Sequence, residues 1–217
     1  MRLTALQDLL AGIYDVPLAH DVHDFLVTDP HAVALAADAA AVSDEQLLVA
    51  RDGEDMAIAL YVDAHVLARL ADSDPLARLD GANLADWWTA LEGVSHFHYL
   101  AFHAGHDREV SRLELETQAE IDKYVATLWL LRRQHPERFP RELHRLLFAR
   151  ARIDPRLPPQ RAELYRRASA YAGRFCRRME ARLQRPADGT WRDMLAELRR
   201  FYRLNETRKL AHIERCA

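Results

Sequence analysis

The chain has 217 residues, 49% hydrophobic and 29% charged, a balance that excludes a largely disordered chain and allows a sizeable core in one domain or two small ones. Two cysteines, Cys176 and Cys216, exclude a disulfide framework and fit a reducing compartment. The net charge of −3 hides a split: residues 1–110 carry 5 Arg, no Lys and 19 acidic groups, and residues 111–217 carry 25 basic against 14 acidic groups.

In chain order, residues 3–13 ("LTALQDLLAGI") read as a short amphipathic helix with Thr4 as its N-cap. "HDVHDFLV" (20–27) reads as a strand, and "DPHAVALAADAA" (29–40) as an Ala-rich helix with Pro30 at its first position. Two apolar runs then flank Asp52-Gly53, so residues 46–51 and 55–62 are expected to pair as a hairpin, because the tight turn needs positive φ. With 20–27 they make a small antiparallel sheet of about three strands whose apolar face must be covered by helices.

After Asp63 the apolar period becomes helical, with helices expected near 64–71, 83–104, 111–134, 139–150, 159–185 and 190–213. Ser111 with Glu114 three residues on forms a capping box, Pro158 and Pro159 open one helix, and Thr190 caps the last. The fold expected is α+β and predominantly helical: an α+β region over 1–82 and a helical bundle over 83–217, which could form one continuous domain. The first residues gather Asp8 and Asp15 too early for a secretory signal, and no window reaches the apolar length of a membrane span. A cytoplasmic location with no membrane partner is therefore expected.

Four of the eleven histidines fall within "SHFHYLAFHAGHD" (95–107). On a helical wheel of about 100° per residue, Leu84, Trp88, Leu91, Ser95, Tyr99 and Phe102 form one stripe with His98 at its edge. Glu92, His96 and His103 share an adjoining line, and His106 lies in the turn. Along 111–134, Leu113, Thr117, Ile121, Tyr124, Leu128 and Leu131 form the apolar stripe. Glu120 lies inside it and Glu116 on its flank, whereas Glu114, Gln118 and Asp122 point elsewhere, as solvated residues would.

Folding these two segments as an antiparallel hairpin sets Ser95 and His98 opposite Glu116 and Glu120. One reading is a structural His98–Glu120 contact that fixes helix register. A second is acid/base chemistry, with His98, Glu120 and Glu116 as catalytic candidates. A third is a metal site from Glu92, His96, Glu116 and Glu120, although the repeated Glu-x-x-His spacing of helical-bundle metal sites is missing. His106-Asp107 behind His98 or His103 also resembles, over about a dozen residues, the His…His-Asp…Asp arrangement of HD-type metal phosphohydrolases. The following "REVS" departs from that family's small apolar continuation and Asp107 reads as a turn residue, so the family is not adopted.

No glycine-rich phosphate loop and no Gly-x-Ser-x-Gly elbow occur. Arg167, Arg174, Arg178 and Arg185 recur on one helical face, and Arg199, Arg200 and Arg203 form a second cluster, together a candidate binding surface. The leading expectation is a non-enzymatic adaptor or regulatory subunit without a resident cofactor, meeting a protein partner or a second copy of itself. The alternatives are a nucleic-acid-binding protein using the Arg faces, and a helical-bundle metal-dependent enzyme centred on His98, Glu116 and Glu120.

Overall fold

Gly53 adopts φ +62°, the left-handed conformation that a tight Asp-Gly turn demands, and the hairpin forms where expected. A computed structural model describes residues 1–37, 43–53, 55–149, 155, 157–185 and 191–215. The architecture is α+β and predominantly helical. In chain order it comprises α1 (Leu3–Tyr14), β1 (Leu26–Val27), α2 (Pro30–Ala37), β2 (Glu45–Asp52), β3 (Asp55–Val62) and α3 (Ala64–Asp72). Then follow α4 (Leu84–Ala104), α5 (Arg112–Gln134), α6 (Pro159–Leu183), α7 (Trp191–Tyr202) and α8 (Glu206–Glu214).

The sheet order is β1-β3-β2. β2 and β3 pair antiparallel, with Leu47 opposite Leu60, but β1 pairs parallel to β3 through Leu26 and Val27. The expectation of an antiparallel sheet is thus corrected for its third strand, and the expected strand over 20–27 shrinks to two residues. The cause is local: the Asp21 carboxylate accepts from the His23 N–H, turning Val22–Phe25 into a 3₁₀ helix before extended backbone begins. Thr4 does not cap α1; its hydroxyl donates to Asp21 instead, and Arg2 occupies the cap position.

α4 is the axis of the molecule, packed against α1, α3, α5, β2 and β3, which is why it is buried nearly all round in its second half. α5 runs back along α4 and is covered on its other side by α6. Ser111 caps α5 by accepting from the Glu114 N–H, but the Glu114 carboxylate does not reach back as a capping box requires. One cluster of buried apolar side chains runs from Leu3 of α1 through Trp87, Phe97, Tyr124 and Phe175 to Ile213 of α8.

Two expected helices come out differently. Among the described residues of 139–150, a short helical stretch beyond Pro140 passes into a π turn at Arg145–Ala149 in place of a full α-helix, and His144 anchors it by donating from Nε2 to the Gly173 carbonyl of α6. The expected helix at 190–213 is two, because the Asn205 side chain accepts from the Arg208 N–H and starts α8 afresh. Thr190, its expected cap, lies outside the described residues, as does Cys216. Cys176 is fully buried. No helix among the described residues is long and apolar enough to cross a membrane.

Candidate metal centre

Glu92 and His96 stand one turn apart on α4, and Glu116 faces them from α5. One ligand atom from each lies within 4.8 Å of the other two. Donors around a single ion at about 2.1 Å sit somewhat closer than that, so a small closure would complete the set. Glu45, the first residue of β2, brings a third carboxylate: its Oε2 is 3.6 Å from His96 Nδ1, while Glu116 Oε2 is 3.4 Å from His96 Nε2. Glu45 reaches this point because α4 carries Gly93 there. A Cβ on Gly93 would lie 3.0 Å from Leu60 Cδ1 and 3.1 Å from Glu45 Oε2.

Behind this group, Lys123 of α5 bonds Glu92 Oε2 at 2.9 Å and Glu120 Oε1 at 2.5 Å. Four carboxylates therefore face one ammonium and one imidazole in a largely dry layer. The imbalance leaves marks on the geometry and on the titration. His96 Nε2 and Glu45 Oε2 are buried without a hydrogen-bond partner, in a side chain only 5% exposed for His96. Burial works against the His96 imidazolium, but Glu116 and Glu45 outweigh it and raise its pKa well above the usual value. Burial likewise raises the carboxyls of Glu45 and Glu120. Burial works against the Glu92 carboxylate, but Lys123 and His96 together outweigh it and lower its pKa. Burial pushes the Tyr165 phenol of α6 up to about 12, with Glu116 and Glu92 near enough to add to the shift.

The expected His98–Glu120 contact is not made. His98 points the other way, accepting on Nδ1 from the Tyr202 hydroxyl at 2.7 Å and donating from Nε2 to the Val16 carbonyl at 3.1 Å. That carbonyl can only accept, so the neutral tautomer follows, and burial lowers the pKa to about 4. Of the catalytic candidates, Glu116 and Glu120 join the centre around His96, while His98 does not. Of the metal candidates, Glu92, His96 and Glu116 come together, and Glu120 is held at one side by Lys123.

The residues expected to be solvated on α5 are instead the core of a second polar network. Asp122 accepts from the Ser95 hydroxyl at 2.6 Å, from the Gln118 amide at 2.8 Å and from the Tyr14 hydroxyl. Gln118 accepts in turn from Lys209 Nζ at 2.5 Å, which lies over the rings of Tyr99 and Phe201. Glu114 holds the Tyr99 hydroxyl and the Arg108 guanidinium, and Arg108 donates to His103 Nδ1, whose Nε2 donates to the Tyr202 carbonyl. Burial raises Asp122 to about 6 and lowers Lys209 to about 7. Glu114, Gln118 and Asp122 repeat at i, i+4 and i+8, a polar line whose pattern alone is that of a solvent face, and their expected solvation is corrected by their burial. His106 and Asp107 sit in the turn after α4, where Asp107 has φ +51°, and take no part in either network.

The arginine candidates divide. Arg199 and Arg203 donate to the carbonyls of Gly12, Ile13, Tyr14 and Asp15, closing the C-terminal end of α1. Arg178 bonds Glu197. Arg167, Arg174, Arg185 and Arg200 are exposed, with Arg174 over the Tyr171 ring.

No protein-family model matches the chain, and no match to it was found among the curated proteins or the solved structures.

Proposed function

We propose that the protein is a metal-dependent helical protein that holds one divalent first-row ion on Glu92, His96 and Glu116, with Glu45 as a further oxygen donor. The observation that carries this reading is the convergence of Glu92, His96 and Glu116, one ligand atom of each within 4.8 Å of the others, with Glu45 3.6 Å from His96 and carboxylates in excess of their counter-charges. Buried carboxylates so arranged are costly unless cations join them, and an ion entering the group would take the place of the proton on His96. Carboxylate and imidazole donors suit Mn²⁺, Fe²⁺ or Zn²⁺. The side chains of Glu92 and Glu120 keep 23% and 19% of their surface exposed, so one side of the ion would meet solvent, the arrangement a Lewis acid needs to activate bound water.

Calorimetric titration of chelator-treated protein with Mn²⁺ is expected to give one ion per chain. His96→Ala and Glu116→Gln should each weaken binding at least about tenfold, the usual cost of losing a ligand or its support. Wild-type protein that takes up neither Mn²⁺ nor Zn²⁺ would refute the reading.

A second reading, contact with a nucleic acid or an acidic protein partner, rests on Arg167 and Arg174 of α6 and Arg185 just beyond its end, all exposed. It predicts retention on heparin that drops steeply with salt and weakens in a triple Arg→Ala variant; a flat salt response removes it.

A further inference from the structure

We infer that Lys123 is a resident counter-cation that competes with the metal ion for Glu92, and so sets how tightly and how reversibly the centre binds. This rests on the metal reading above. The Lys123 side chain is 9% exposed, and its ammonium spans two carboxylates, Glu92 from α4 and Glu120 from its own helix. Glu92 is shared: one oxygen belongs to Lys123, and the residue also belongs to the ion-binding group. Glu45 and Glu120 each lie close enough to Glu92 and Glu116 to feel their charge. Without an interior cation, four such carboxylates would repel and open the α4–α5 seam. Lys123 therefore has two consequences. It holds the donor set together when no ion is bound, and it withdraws charge from Glu92 that an ion would otherwise use.

A carboxylate that gives one oxygen to a fixed ammonium is a poorer metal ligand, because the ammonium both repels the incoming ion and polarises the shared group. The position on α5 matters as well. Lys123 is one turn from Glu120 and faces Glu92 across the helix pair, so it occupies the Glu120 side of the cluster and leaves the His96–Glu116 side to the ion. The arrangement is that of a centre able to exist empty and to fill on demand, in contrast to a closed structural site whose fold depends on its metal.

The test compares wild type, Lys123→Gln and the double variant Lys123→Gln/Glu120→Gln, each as the full chain, by Mn²⁺ calorimetry and by thermal unfolding with Mn²⁺ or with chelator. Wild type should stay folded in chelator and gain stability with Mn²⁺. Lys123→Gln should bind Mn²⁺ at least about tenfold tighter and depend on it for a normal midpoint. The double variant removes one charge of each sign, so the cluster carries no more excess negative charge than in wild type. Its affinity should still exceed that of wild type several-fold, because Glu92 is released from Lys123. Equal Mn²⁺ affinity in wild type and the double variant overturns the competition, whatever the single variant does. Absence of Mn²⁺ binding in all three overturns the metal reading itself, and the inference with it.

Discussion

Asp122→Ala should lower the free energy of unfolding by about 3–5 kcal/mol, as expected when a buried charge network loses its central acceptor. Three donors lose an acceptor at once, the Ser95 and Tyr14 hydroxyls and the Gln118 amide, and only the amide keeps another, the Tyr14 hydroxyl. None can turn to water, because Tyr14, Ser95 and Gln118 are all buried. The loss then propagates. Gln118 orients the acceptor that receives Lys209, and Lys209 fastens α8 against Tyr99 and Phe201. Urea unfolding with far-UV and near-UV circular dichroism reads the effect. Asp122→Asn should retain a substantial part of the stability, since a carbonyl oxygen remains where Oδ1 was. Tyr14→Phe should cost about 1–2 kcal/mol alone, and a double-mutant cycle with Asp122→Ala should show coupling of about 1 kcal/mol or more. An Asp122→Ala protein within 1 kcal/mol of wild type would mean that the network is not formed in solution.

Acidification from pH 7 to pH 5 should cost about 2 kcal/mol of stability, with His98 and His103 as the main source. Both are locked as neutral tautomers. His98 is lowered to about 4 by burial, and His103 to about 3 by burial with Arg108 and Lys209 beside it. In the unfolded chain each takes a proton near pH 6.5, so between that pH and the folded value the unfolded state binds more protons. Their stabilisation is therefore full above about 6.5 and is lost progressively as pH falls towards 4 and 3. Asp122 opposes this: its folded value of about 6 exceeds its unfolded one, so the folded state gains protons first over the same window. His96, raised above its unfolded value, also offsets part of the loss near neutrality. Two depressed histidines outweigh these terms. His103→Gln, whose amide can still donate to the Tyr202 carbonyl and accept from Arg108, should flatten the slope by roughly half. An unchanged slope in both His98→Gln and His103→Gln would exclude them as the cause.

Much of the backbone followed from local rules that act within a few residues. Asp52-Gly53 determined the hairpin because only one turn geometry suits that pair between apolar runs. Ser111, Pro159 and the apolar period set the limits of α5 and α6 within two residues. Where a side chain's local bond competed with the pattern, the outcome was less legible. Asp21 turned an expected strand into a 3₁₀ helix, and Asn205 divided one expected helix into two.

The site was legible in its members and not in its pairings. The sequence by itself determined that Glu92 and His96 share a helix face and that Glu116 and Glu120 lie on the neighbouring helix, since both facts are helical arithmetic. Only the tertiary structure decided that His96, and not His98, meets those glutamates, and that Lys123 and Glu45 join them. The reason is physical. An amphipathic reading assumes one buried face per helix, yet α4 is enclosed by α1, α3, α5 and the hairpin, and α5 by α4 and α6. With several faces buried, Glu114, Gln118 and Asp122 could be interior despite their polarity, because Tyr14, Ser95, Tyr99, Arg108 and Lys209 arrive from distant parts of the chain to satisfy them.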